Sequence, residues 1–446
     1  MTKINVDEVT MGQDDQVGGW IDAAAAAERL GVKPATLYAY VSRGVLRRRH
    51  APDGRRSLFD AAQVEELARR GKPRRGPGPG ELAIESAITA LGADRPYYRG
   101  RDVLDLAESG AFEDVAGWLW TGRDGAGEEP WRARDEGVAA AVAAQSGLPA
   151  GLLPLDRLQL IVTALAAADP LRHHLDLEGV TGTARSLIAG LVEALPPVNP
   201  RSLAASRRLE RSHNDDSPQL NEEGVAARLW GRLCPRPPEA GTLRALEAAL
   251  ILLADHELAA STLAARVAAS VRADPYSVVA SGLGVLSGPL HGGASYGAER
   301  LLAEVTDPAS AVQVIGGRLR AGERIPGFGH VVYKSGDGRA TLLLDLVRAA
   351  APGHPRLAAA EAVLDEASRR RLPTANIDFA VAVLGAVAGF VPGAGEAVFA
   401  VARTAGWIAH ALEEYGGAHP LRPRAVYTGP PLPDAASAPR RPGRKR

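Results

Sequence analysis

Through most of its length the chain repeats apolar residues three and four apart in an Ala-, Leu-, Arg- and Glu-rich background, as in Ile84–Leu91, Leu158–Leu165 and Leu243–Leu253. That spacing gathers the apolar positions on one face of an α-helix but scatters them over both faces of a strand. Val/Ile/Thr alternation of strand type is scarce, so the fold class expected is all-α. With 446 residues, 46% of them hydrophobic, the chain can bury a sizeable core, and its length predicts two or three domains. No run reaches the apolar length of a membrane helix; the nearest, Phe379–Val391, is short and meets Pro392. The first residues hold no apolar signal core, so a cytoplasmic protein without membrane contact is expected. A single cysteine, Cys234, excludes an internal disulfide framework and a thiolate-cluster metal site.

Two stretches break the helical pattern. Gly71-Lys-Pro-Arg-Arg-Gly-Pro-Gly-Pro-Gly80 cannot sustain helix or strand, because proline lacks the donor and glycine loses the most entropy on ordering, so 71–80 reads as a linker. Pro, Ala, Ser and basic residues dominate the end, so 431–446 is expected to be a disordered basic tail, and 1–19 a disordered start. Charge follows the same divisions. The balance of 52 basic against 52 acidic residues would argue against a nucleic-acid partner if it were evenly spread. Residues 20–75 instead hold 13 basic and 6 acidic residues, and the last seven add 5 basic ones. The span 76–439 carries 33 basic and 42 acidic residues, so separate modules with separate partners are expected.

Within 20–70, Asp22 suits an N-cap for an Ala-rich helix through Leu30, and Gly31 a left-handed stop. Pro34 suits the first turn of a second helix, with Leu37 and Val41 on one face and an end at Gly44. Two short helices joined by a tight turn make a helix-turn-helix. Arg47-Arg-Arg49, a Pro52-Asp53-Gly54 turn and Arg55-Arg56-Ser-Leu-Phe59 follow as a basic hairpin, and Asp60 caps a third helix over 61–70. The stretch Ala26–Gly44 closely resembles MerR/excisionase-type winged helix-turn-helix domains. The resemblance implies a second helix in the major groove of double-stranded DNA. Thr36, Tyr38, Tyr40 and Arg43 would then contact bases or phosphates, and Arg47, Arg48, Arg49, Arg55 and Arg56 would contact phosphates. The bland alternative is a small solvated bundle, or a docking module without DNA contact.

Of the ten histidines, His50, His173, His174, His213, His354 and His419 have polar or Pro/Gly-flanked surroundings of surface type, and His410 reads as a packed core residue. Three others sit in unusual sequence: Asp255-His256-Glu257 closing an apolar helix, Gly288-Pro-Leu-His291-Gly-Gly, and Pro326-Gly-Phe-Gly329-His330. Asp378 enters an otherwise apolar helix, where desolvation raises a carboxyl pKa toward the range of a general base. None of these residues has the short spacing of common zinc motifs, and no G-x-S-x-G elbow is present. Arg339, Arg403 and Arg422 could pair bidentately with a di- or tricarboxylate.

From about Glu81 to Pro430 the chain resembles the citrate synthase family. The resemblance rests on Tyr97-Tyr-Arg-Gly100, Asp255-His-Glu, Gly288-Pro-Leu-His-Gly-Gly, Gly327-Phe-Gly-His-Val-Val-Tyr-Lys334, Asn376-Ile-Asp-Phe, Phe399–His410 and Arg422–Gly429, in that order. It implies a large helical domain (81–291 and 396–430) interrupted by a small helical domain (292–395) that closes over substrate. Hinges would lie at Gly292, Gly293 and Pro392–Gly395. It implies a homodimer or higher oligomer condensing acetyl-CoA or propionyl-CoA with oxaloacetate, with CoA thioester as substrate and no cofactor or metal. Asp378 would be the base, His291 the enol stabiliser and His330 the group on the oxaloacetate carbonyl. His256, Arg339 and Arg403 would hold the carboxylates, Arg422 would reach in from the partner subunit, and Arg320, Arg324 and Arg371 would meet CoA phosphates.

The chain departs from the family pattern in places. Asp337-Gly338-Arg339 replaces Asp-Pro-Arg and is expected to loosen that loop. Val331 stands where many members have Arg, Pro373–Asp378 is stretched, and Ser295 replaces Asn. A transcriptional regulator that senses an acyl-CoA or carboxylate, and an inactive paralogue in a mixed oligomer, are the other readings.

Overall fold

The computed structural model describes residues 19–30, 32, 34–42, 45–51, 56–69, 84–125, 130–198, 224–425 and 428–429. The 71–80 linker, the 431–446 tail, residues 1–18, and Arg43 and Arg55 lie outside them.

The described residues between 20 and 69 close around an apolar cluster of their own. Asp22 ends the strand Trp20–Asp22 and accepts from the Ala25 N–H (2.8 Å), which caps the helix Ala23–Leu30. Pro34 opens the helix Pro34–Ser42. Strands Arg48–His50 and Ser57–Asp60 pair antiparallel, and Trp20–Asp22 pairs with the other edge of Ser57–Asp60. Asp60 Oδ1 then accepts from the Gln63 N–H (3.2 Å) in the first turn of Ala61–Arg69. One expectation is corrected. Tyr40, placed above among the DNA contacts, is 7% exposed and packs with Leu37, Leu30, Phe59 and Val64. Leu37 and Tyr40 are three apart, so the helical period turns both rings and branches inward together.

The rest of the molecule is organised on the helix Ala394–Gly416, nearly all of it buried. Helices Ala260–Ser270, Pro275–Leu286, Ala240–Leu253, Leu177–Glu193 and Phe112–Thr121 pack around it. Gly406 permits the closest approach: its N–H donates to Ala254 O (3.0 Å), and a Cβ there would stand 2.3 Å from Asp255 Oδ1. That contact draws the Asp255–His256 segment onto the central helix.

The span Ile84–Leu91, expected to be helical, is not. Thr89–Leu91 is a strand paired with Pro96–Tyr98, which pairs in turn with Arg101–Asp102. Eight residues ending at Leu91 are too few to outweigh the turn that follows, where Gly92 N–H donates to Arg95 O (2.8 Å). The Ala87 N–H finds Glu413 Oε1 (2.7 Å) rather than a helical carbonyl.

Helices Gly293–Glu304, Gly338–Ala350 and Pro355–Arg369 pack on Ile377–Ala388. This group joins the rest through Gly338–Ala350 on Ala240–Leu253 and Gly293–Glu304 on Ala394–Gly416, within one apolar cluster running from Ile88 to Tyr415. Among the described residues no helix is long and apolar enough to cross a membrane.

Candidate active site

The loop that carries His330 is stitched to the segment that carries Asp378. Asn376 N–H donates to Gly327 O (2.9 Å), Gly329 N–H to Thr374 O (2.8 Å), and Asn376 Nδ2 to Gly329 O (2.9 Å). Gly327 has φ 80°, and a Cβ on it would press on Phe379 Cβ at 2.8 Å, so only glycine lets the two segments close. Asn376 also caps Ile377–Ala388, its Oδ1 accepting from Asp378 N–H (3.0 Å). Asp378 therefore stands in the first turn, where the exposed helix N–H groups favour a carboxylate.

Asp378 Oδ1 accepts from the Ser295 hydroxyl at 2.5 Å. Burial raises the Asp378 pKa, while the Ser295 hydrogen bond and the charges of Arg339 and Arg403 work against the rise. On the other side of the site, His291 Nε2 lies 2.7 Å from Ser261 Oγ, which accepts from Trp407 Nε1 (3.3 Å). The Ser261 proton is thus free to point at Nε2, which leaves the imidazole proton on Nδ1. Burial, aided by Arg403, pushes the His291 pKa down to about 4, so this histidine is a neutral donor at ordinary pH. Phe399 joins the two residues, its ring 5.9 Å from His291 and 4.5 Å from the Arg403 guanidinium carbon.

Arg403 is 1% exposed, its Nε donates to Leu253 O (2.7 Å), and its buried Nη1 has no hydrogen-bond partner. A buried guanidinium donor left open costs free energy unless an anion meets it. Arg339 is equally buried and forks onto Asp337, Nε to Oδ1 and Nη2 to Oδ2, both 2.9 Å. Asp337 Oδ2 also accepts from the Ile377 N–H (3.1 Å), which ties the arginine to the start of the Asp378 helix. The loop expected to be loosened by Gly338 is therefore held. Gly338 N–H donates to Asp94 O (2.8 Å), and Asp337 caps the helix behind it.

His256 and His330 stand ring to ring, 5.2 Å apart at 74°. His330 Nδ1 accepts from the Val332 and Tyr333 N–H groups (3.0 and 3.2 Å), so its proton sits on Nε2. His256 is followed by Glu257 at φ 54°, a left-handed position that Asp255 Oδ2 stabilises by accepting the Glu257 N–H (3.0 Å). Asp255 is itself 3.3 Å from His410, which is buried as expected for a core histidine.

The remaining candidates lie elsewhere. Arg320, Arg324, Arg371 and Arg422 are exposed on this chain. In the first unit Tyr38 is exposed, Thr36 is half-buried, and Arg56 is exposed. Arg47 pairs with Asp60 (2.7 Å), and the guanidinium carbons of Arg48 and Arg49 lie 5.6 and 4.5 Å from the Tyr38 and Trp20 rings. Sequence reasoning missed Tyr333 and the anchoring by Asp337; an aromatic three residues after His330, within Gly327–Lys334, was the available signal for the first.

A family model described as "Citrate synthase, C-terminal domain" matches residues 79–424. The chain belongs to the citrate synthase family. Among family members, citrate synthase 2 of Bacillus subtilis is 31% identical over 79% of this chain and 95% of its own length. The 2-methylcitrate synthase 1 of Corynebacterium glutamicum is 30% identical over 74% and 88%. The solved citrate synthase of Thermotoga maritima superposes with a TM-score of 0.62 at 27% identity, covering 79% of this chain and 94% of that one. Both named activities therefore occur among relatives of similar distance.

Proposed function

We propose that the chain condenses a short acyl-CoA with oxaloacetate, giving citrate from acetyl-CoA or 2-methylcitrate from propionyl-CoA. Asp378 takes a proton from the carbon next to the thioester, while His291 Nδ1–H binds the thioester oxygen and stabilises the enol form. The new carbon nucleophile attacks the oxaloacetate carbonyl, and His330 Nε2 gives its proton to the forming alkoxide. His256, Arg339 and Arg403 hold the carboxylates, and water then cleaves the thioester to release CoA. The observation that carries this reading is the open, buried Nη1 of Arg403, whose charge reaches both Asp378 and His291. The test is oxaloacetate-dependent release of free CoA from each acyl-CoA, and no release with either would contradict it.

Residues 292–395 act as the small domain that closes, on hinges at Gly292, Gly293 and Pro392–Gly395. Arg320, Arg324 and Arg371 meet CoA phosphates. A homodimer is supported by Leu263, Val267 and Val271, exposed at four-residue spacing along Ala260–Ser270 and its cap. Leu421 N–H donates to Ser270 Oγ (3.0 Å), which brings the Arg422 segment to that same face, suited to reach a partner's site.

Ser295→Ala is expected to raise the Asp378 pKa further, because the removed hydroxyl stabilised the ionised form. The acid limb of the kcat/KM profile then moves to higher pH. An unmoved limb would show that the limb belongs to another group.

We also propose that residues 20–70 are a winged helix-turn-helix unit that binds duplex DNA, a reading favoured by Tyr38 and Arg48 stacked at one exposed edge. Anisotropy titration of a fluorescent duplex is expected to show binding that weakens with salt. Arg48→Ala and Arg49→Ala should each flatten the salt slope by about one. Salt-independent or absent binding to any duplex would remove the claim. If the synthase fold acts as a sensor, oxaloacetate and DNA must alter each other's affinity by the same factor.

A further inference from the structure

Tyr333 is 1% exposed and touches three of the residues assigned to oxaloacetate, although they come from separate segments. Its ring lies flat on His330 (centroids 4.6 Å, 18°) and stands perpendicular to His256 (5.4 Å, 89°). Its hydroxyl is 3.0 Å from His256 Nε2, and the Arg339 guanidinium carbon is 5.2 Å from its ring centroid. Its own N–H is one of the two donors that fix the His330 tautomer.

A phenylalanine would serve the stacking and the burial, so the hydroxyl has to be explained by what it bonds. Burial pushes the phenol pKa well up, so Tyr333 remains a hydroxyl donor across the assayable range. A hydroxyl that donates to Nε2 leaves the neutral His256 with its proton on Nδ1, and the perpendicular contact limits rotation of that ring.

We propose that Tyr333 is the positioning residue of the carboxylate-binding side, fixing His256 by its hydroxyl and His330 by its ring so that oxaloacetate meets preset donors. This rests on the reading of His256 and His330 as oxaloacetate ligands. Binding to preset groups avoids ordering costs at the moment of association, so the loss of Tyr333 appears in affinity for that one substrate.

The test uses the full-length chain, with oxaloacetate binding measured by calorimetry without acyl-CoA, steady-state kinetics and thermal melting. Tyr333→Phe keeps the stack and loses the hydroxyl. It is expected to weaken oxaloacetate about 10-fold, the order of one hydrogen bond, with the acyl-CoA KM within about twofold of wild type and Tm nearly unchanged. Tyr333→Leu is expected to lower kcat as well, since His330 loses its flat support. In the double variant Tyr333→Phe/His256→Ala, binding is expected to be no weaker than in His256→Ala alone, because the hydroxyl acts through that imidazole. Additive losses in the double variant overturn the proposal. So does wild-type oxaloacetate affinity in Tyr333→Phe when His256→Ala has lost it. Absence of oxaloacetate binding by the wild type, or unchanged binding in His256→Ala, overturns the underlying assignment instead.

Discussion

Asp378→Asn is expected to slow CoA release about 10²–10⁴-fold, the range of a lost general base, while leaving the melting temperature equal to or above that of the wild type. An amide cannot take up the α-proton, so the proposed condensation would lose its first step even when both substrates bind. The stability half follows from the direction of the pKa shift. Burial holds the folded-state pKa of Asp378 above its unfolded value. The folded protein therefore binds this proton more tightly, and stability falls as pH rises between the unfolded and folded values. Wherever the buried carboxyl is ionised, that charge is a net cost to the fold, which asparagine removes. Kinetics and melting curves of the same preparation check both halves. A fall in Tm that accompanies the fall in rate would make Asp378 a structural residue.

Asp337→Ala carries the second large effect, and here stability suffers with function. Asp337 accepts from Arg339 Nε and Nη2 (2.9 Å each), from Arg339 N–H (3.2 Å) and from Ile377 N–H (3.1 Å). The paired side chains are 2% and 1% exposed, so removing the acid strands a buried guanidinium. Breaking one partner of such a pair costs about 3–5 kcal/mol. The variant is expected to lose that much unfolding free energy, which lowers its urea midpoint, and to lose oxaloacetate affinity, because Arg339 has no carboxylate to orient it. Because the pair is buried, added salt should change the difference little. Urea denaturation of wild type and variant at low and high salt measures it; a loss below about 1 kcal/mol would place the pair among ordinary surface bridges.

The sequence makes the long helices plain and the contacts between them obscure. Pro154–Ala168 and Ala240–Leu253 contain the expected apolar spacings over fourteen or fifteen residues. Ile84–Leu91 has a similar pattern over only eight, and the hairpin turn after Leu91 takes its last three residues into a strand. Tyr40 shows the same limit on a smaller scale: a polar-tipped ring in a basic unit reads as surface until packing turns it inward. In the site, His291, His330 and Asp378 stand out because glycines or apolar neighbours make them chemically odd. Their partners do not stand out. Ser295 and Asp378 are 83 residues apart, Ser261 and His291 30, His256 and Tyr333 77, and Asp337 and Ile377 40. No local pattern encodes pairs at those separations; they exist only once the helices pack. The Gly338 loop illustrates the reverse error, where a residue that loosens a chain locally is fixed by a long-range bond to Asp94.

The proposed role of Asp378, His291 and His330 is an acyl-CoA condensation on oxaloacetate. Its most direct test is a stoichiometric one: wild-type protein with oxaloacetate and either acetyl-CoA or propionyl-CoA, free thiol and tricarboxylate product quantified together. Equal amounts of CoA and citrate or 2-methylcitrate are expected, with no CoA when oxaloacetate is omitted and near-complete loss of both in Asp378→Asn. Folded wild-type protein that releases no CoA from either thioester, or Asp378→Asn turning over as fast as wild type, would contradict it.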